Sequence, residues 1–177
     1  MIDAASYGKA LFQLVQETGA DERVREELEL VRSALRQEPS YVTLLDTPAV
    51  PKEEKLALVR EAFGGVEENL LNFLCILCEK RSMYALPACA DAFGRCYDEA
   101  HDILRATAVT AVPMTDAQKA ALTQRLSAMT GKQAVLTNEL DPALLGGITL
   151  RYGGVQLDDS IHSRLEQLRR SLRETIV

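Results

Sequence analysis

Near Arg105 the spacing of apolar residues changes period, and that change limits the possible folds more than any motif does. Before it, apolar residues recur every three to four positions, the period of one face of an α-helix. After it they alternate over short stretches, the period of a half-buried strand. Such a chain is mainly α, with a helical unit over residues 1–105 followed by a small α/β unit over residues 106–177.

In the first unit, Tyr7, Leu11, Leu14 and Val15 mark one face of a helix that Gly19 ends. Asp21 is placed to cap the next helix, whose stripe is Val24, Leu28, Val31 and Leu35, closed before Pro39. Pro39 and Pro48 bracket a short third helix. Pro51 suits the first turn of a fourth, with Leu56, Val59 and Phe63 inside and Gly64-Gly65 as its stop. The fifth, about residues 67–80, is apolar nearly all round, which predicts a central position. The sixth begins near Pro87 and carries Leu86, Ala90, Phe93, Tyr97, Ala100 and Leu104 at regular spacing. Together they predict a six-helix bundle.

The second unit opens with "ATAVTAV", Ala106 to Val112, a β-branched strand that Pro113 ends. Thr115-Asp-Ala-Gln118 is a capping box opening a helix lined by Leu122, Leu126 and Met129 and stopped at Gly131. "KQAVLTNEL" is a second strand, and Asp141-Pro142 a turn. Ile148, Leu150 and Tyr152 alternate with polar residues, and Val155 and Leu157 resume the alternation after Gly153-Gly154. Two alternating runs joined by paired glycines predict a hairpin, because glycine accepts the positive φ of a tight turn. Asp158, Asp159 or Ser160 then caps a last helix with Ile161, Leu165, Leu168 and Leu172 on one face. The order is β-α-β-β-β-α.

Glycines crowded ahead of a helix raise the question of a phosphate cradle. Gly146, Gly147, Gly153 and Gly154 fit neither G-x-G-x-x-G nor the phosphate loop, and Asp158 and Asp159 would repel a phosphate at the helix start. They are expected to act as structural turns. Gly153-Gly154 would turn the hairpin, and Gly146-Gly147 would mark a bulge or a close backbone approach within the strand. No nucleotide or other cofactor is expected. Nor is nucleic acid, because Met1 to Arg105 carries 19 acidic against 12 basic residues.

Cys75, Cys78, Cys89 and Cys96 are spaced C-x2-C-x10-C-x6-C with His101 nearby, a pattern that admits zinc. The first pair lies inside "LLNFLCILCEK", however, where cysteine packs as a small hydrophobe, and core packing is the better reading. Neither histidine accompanies a nucleophile motif, and no catalytic residue is expected. The N-terminus has no basic leader region, and no apolar run has the ~18 residues of a membrane span. Arg164, Arg169, Arg170 and Arg173 crowd the last helix, as a solvated face or as a docking edge for an acidic partner helix.

Two segments at opposite ends resemble one family, the delta subunit of bacterial F-type ATP synthase, counterpart of the mitochondrial oligomycin-sensitivity-conferring protein. "YGKALFQLV" resembles the family's Tyr-Ala-x-Ala-Leu-Phe opening, with Gly8 where alanine is usual. "DPALLGGITLRYGGVQLDDSIHSRLEQLRRSL" resembles its C-terminal signature, with Asp159 where the family often has glycine. The resemblance implies a non-catalytic stator subunit, a monomer within the complex. Its bundle would grip the N-terminal helices of the alpha subunits of the catalytic head, and its C-terminal unit would hold the b subunits of the peripheral stalk. The implied place is peripheral, on the cytoplasmic face of the bacterial plasma membrane. The groove for an alpha helix would run between the first and fifth helices, with Tyr7, Ala10 and Phe12 as wall residues and Leu11 in the core. The four arginines of the last helix would face the b subunits. A helical adaptor unrelated to ATP synthase is the alternative.

Overall fold

The computed structural model describes residues 3–144 and 146–158. The chain divides into two compact units, Met1–Glu99 and Ala100–Val177. The first is built from α1 (Ala4–Thr18), α2 (Asp21–Gln37), α3 (Pro39–Asp46), α4 (Lys52–Phe63), α5 (Glu68–Glu79) and α6 (Leu86–Ala100). A short 3-10 turn, Met83–Ala85, leads into α6.

The helix ends follow from local chemistry. Asp3 caps α1 by accepting from the Ala5 N–H at 3.2 Å, and Gly19 closes that helix at φ 67°. Asp21 does not cap α2. The helix begins at Asp21 itself, after Ala20, whose N–H already reaches back to the Val15 carbonyl across the tight Gly19 turn. Pro51 precedes α4 rather than entering its first turn. Glu67 caps α5 by accepting from the Asn69 and Leu70 N–H groups at 2.7 and 3.1 Å. Helix α6 stops at Ala100, short of Leu104, because Asp102 at φ 50° breaks the helical path. Leu104 thus belongs to the following strand.

The bundle core runs through Val15, Val24, Leu28, Leu45, Val59, Leu70, Leu74, Leu77 and Phe93, each at most 2% exposed. Burying each such side chain contributes roughly 1.5–3 kcal/mol relative to leaving it in water. Cys75, Cys78 and Cys89 pack in this core, while Cys96 is half-buried. The Lys55 ammonium is also buried and donates to the Thr47 carbonyl, which ties the α3–α4 connection to α4.

Gly94 sits inside α6 with open space where a Cβ would be. Gly94→Ala is therefore expected to raise stability by about 0.5–1 kcal/mol, through backbone entropy alone. A urea melt of the full chain reads it, and a lowered midpoint would contradict it.

The second unit holds β1 (Ile103–Thr110), α7 (Asp116–Thr130), β2 (Gln133–Leu140), β3 (Ile148–Tyr152) and β4 (Val155–Asp158). The first strand lies three residues earlier than its sequence pattern predicts, and the Thr110 hydroxyl turns the chain after it by donating to the Val112 carbonyl at 2.7 Å. The sheet order is β2-β1-β3-β4, with β1 parallel to β2 and antiparallel to β3. The parallel pair is joined through α7, as a crossover connection requires. Ala106, Ala108, Ala134 and Leu150 on one sheet face meet Leu126 of α7, with Leu122 partly buried beside them. Met129, on the same stripe, is instead 76% exposed, because it lies in the last turn of the helix, beyond this cluster.

The capping box is complete: the Thr115 hydroxyl accepts from the Gln118 N–H, and the Gln118 side chain accepts from the Thr115 N–H. Gly153 and Gly154 turn the β3–β4 hairpin at φ 52° and 79°, pairing Tyr152 with Val155. Gly146 and Gly147 do not form a bulge within a strand. They precede β3 at φ 149° and 87°, in the turn that feeds it. The last helix of the sequence pattern, with Asp159 and Ser160 at its start, lies outside the described residues.

Candidate partner-binding groove

Helices α1 and α5 lie side by side and leave an open groove of about 390 Å³ between them. From α1 it takes Ser6, Tyr7, Ala10, Leu11 and Leu14, and from α5 Asn69, Asn72, Phe73 and Ile76. Both sets repeat at three- and four-residue spacing, so each helix presents one continuous stripe and the groove follows the helix axes.

Leu11 and Phe73 are 3% and 7% exposed and form its floor. Leu14 and Ile76 are 48% and 46% exposed, two large apolar side chains open to solvent on facing walls. Ala10 is exposed on the α1 wall, where a short side chain leaves room for close approach. No lining residue is charged. A neutral, apolar groove with amides and a phenol at its edges fits one face of an amphipathic helix, not an ion or a nucleotide.

The expected wall residues separate. Tyr7 and Ala10 line the groove, whereas Phe12 turns into the core. The ring of Phe12 lies 5.6 Å from that of Phe93, edge to face. Ala10 and Phe12 are two positions apart, roughly 200° around a helix, and cannot share a face. Leu11 is buried in the core, as expected, yet also forms the groove floor. The contributions of Asn69, Asn72, Phe73 and Ile76 were hidden in a helix apolar nearly all round. The signal was there: Ile76 is one apolar residue more than a buried face needs, and it stands open rather than central. Arg164, Arg169, Arg170 and Arg173 lie outside the described residues.

The cysteines take no part in the groove. Burial pushes the Cys89 thiol up to about 11, aided by the negative charge of Asp3, and burial also raises Cys78. A thiol ionises only near or above its pKa, so at pH 8 only about one Cys89 in a thousand is thiolate. Iodoacetamide on the native chain is expected to modify half-buried Cys96 first, with Cys89 reacting only as pH approaches 11. Peptide mapping after alkylation checks this, and fast labelling of Cys89 at pH 8 would contradict it. Among the described residues, no three His, Cys, Asp or Glu side chains come together in a way that would hold a metal ion. No helix among them is long and apolar enough to cross a membrane.

Residues 4–172 match the family model described as the ATP synthase delta (OSCP) subunit. The chain is 35% identical to ATP synthase subunit delta of Desulforudis audaxviator, covering 98% of this chain and 96% of that one. It is 34% identical to the subunit delta of a Geobacillus species, covering 97% of each. Among solved structures it resembles a chain of the Toxoplasma gondii mitochondrial ATP synthase hexamer. There the TM-score is 0.75, at 26% identity, over 97% of this chain and 98% of that one.

Proposed function

We propose, since the chain belongs to the ATP synthase delta (OSCP) subunit family, that its α1/α5 groove is where it grips the catalytic head. The chain is a stator subunit, a component of an ATP synthase complex. The partner in the groove is the N-terminal helix of an alpha subunit, and the unit from Ala100 onward holds the b subunits of the peripheral stalk. The chain carries out no chemistry itself. It works at the cytoplasmic face of the plasma membrane, by preventing the head from turning with the rotor.

The open pair Leu14 and Ile76 over the Leu11–Phe73 floor is the observation that carries the groove assignment. Large apolar side chains facing each other across a groove gain by excluding water when a helix seats between them. The absence of charge in the lining fits a contact that holds under load at any ionic strength, since salt screens charge pairs and leaves apolar contacts in place.

A tagged full-length chain, expressed in its own organism and purified from detergent-treated membranes, is expected to bring down the alpha, beta and b subunits together. Recovery of the chain with other proteins and without those subunits would support the adaptor alternative instead.

A further inference from the structure

A second groove, of about 440 Å³, lies on the same bundle between the end of α2, α3 and the start of α6, and shares no residue with the first. Its floor is apolar: Leu35, Met83 and Leu86 are 6%, 1% and 1% exposed. Its rim differs from the α1/α5 groove in carrying two guanidinium groups, Arg32 and Arg36, and an aromatic ring, Tyr84, that is 57% exposed. The turn that carries the ring is anchored. The Asp46 carboxylate accepts the Met83 and Tyr84 N–H groups at 2.9 and 3.1 Å, fixing the 3-10 turn that carries it.

The charge pattern is the informative part. No acidic residue lines this groove, although Met1 to Arg105 carries 19 acidic and only 12 basic residues. Arg32 is answered within the bundle, by Asp91 at 2.8 Å and Glu29 at 3.4 Å. Arg36 has no ion pair or hydrogen bond among the described residues. Its place in the last turn of α2 suits the helix dipole, which accounts for its sign but not for the apolar floor and exposed tyrosine beside it. Arginine and tyrosine around a desolvated apolar floor are the residue types that dominate binding energy at protein interfaces.

We propose that this groove is a second docking site, separate from the α1/α5 groove, and that its occupant is an acidic amphipathic segment of another protein chain. The apolar side chains of the segment seat on Leu35, Met83 and Leu86, and its carboxylates meet Arg36 and compete for Arg32. Opposite charge selects the partner and speeds its arrival, and the apolar floor retains it.

Photocrosslinking tests this on the full chain. The photoreactive residue p-benzoylphenylalanine replaces exposed Thr43 on the groove wall, and the tagged chain is irradiated in native membranes. Mass spectrometry is expected to find a segment of another chain with net negative charge and an apolar stripe. Arg36→Glu should cut that crosslink about tenfold, and Arg36→Lys should keep it. A synthetic peptide of the captured segment should then bind the purified chain, about tenfold more weakly with Arg36→Glu and unchanged with Ala10→Trp. That second arm separates this site from the α1/α5 groove, whichever complex the segment comes from. Capture of a neutral or basic segment, of a second copy, of this chain's own residues or of nothing would overturn the proposal. So would a crosslink indifferent to Arg36→Glu.

Discussion

Gly8→Leu is expected to lower the stability of the helical unit by about 3 kcal/mol, the upper end of the usual cost of overpacking. A Cβ built at Gly8 would lie 2.3 Å from the Cys89 carbonyl oxygen, 2.7 Å from the Ala92 Cβ and 3.0 Å from the Phe93 nitrogen. Two of those atoms are backbone, so no side chain can swing aside, and α1 must move away from α6. Moving it would loosen the edge-to-face contact between Phe12 and Phe93 as well. For a unit of this size the loss corresponds to a fall of roughly 12–24 °C in midpoint temperature, measured by circular dichroism on the full chain. Gly94 in α6 is the internal control, being a mid-helix glycine with nothing nearby. If Gly8→Leu melted within a few degrees of the wild type, the close α1–α6 approach would be wrong.

Ala10→Trp is expected to weaken binding of a peptide from the alpha N-terminus at least about a hundredfold, or about 2.7 kcal/mol. Ala10 is exposed on the groove wall, so the indole has room to exist but fills the space that a helix seated in this groove would need. The far-UV circular dichroism spectrum should not change, because Ala10 is not among the buried core residues. Phe12→Ala would behave in the opposite way. It would destabilise the bundle by leaving a cavity beside Phe93, and would reach the groove only through that loss. Fluorescence anisotropy with a labelled peptide reads both variants. Tight binding by Ala10→Trp would remove the partner from this groove.

What the sequence disclosed depended on how local the cause was. The capping box at Thr115 and Gln118 is four residues long, and both of its hydrogen bonds form. The β3–β4 hairpin turns where paired glycines interrupt strict alternation. The change of period near Arg105 separated helices from sheet, although the first strand begins at Ile103. That start depends on the single backbone break at Asp102, which a pattern reaching from Leu86 to Leu104 conceals.

The groove was only half legible. With Leu11, Phe12, Leu14 and Val15 all apolar in α1, periodicity cannot say which face meets the core and which stays open. The choice is made by α5 and α6, which lie far away in sequence. Helix α5 hid its share of the groove for the same reason, and its surplus apolar residue, Ile76, was the clue. Gly8 signals a close approach in principle, but only the fold shows that α6 is what approaches.

The stator role itself is tested most directly by reconstitution. Membranes carrying the ATP synthase are stripped of the catalytic head and of this chain, and the purified head is added back with or without the full-length chain. With the chain present, the head should rebind firmly and proton-driven ATP synthesis should return. With Ala10→Trp in its place, both should stay near the level without the chain. Full rebinding and full ATP synthesis in the absence of the chain would contradict its role as the link between head and stalk.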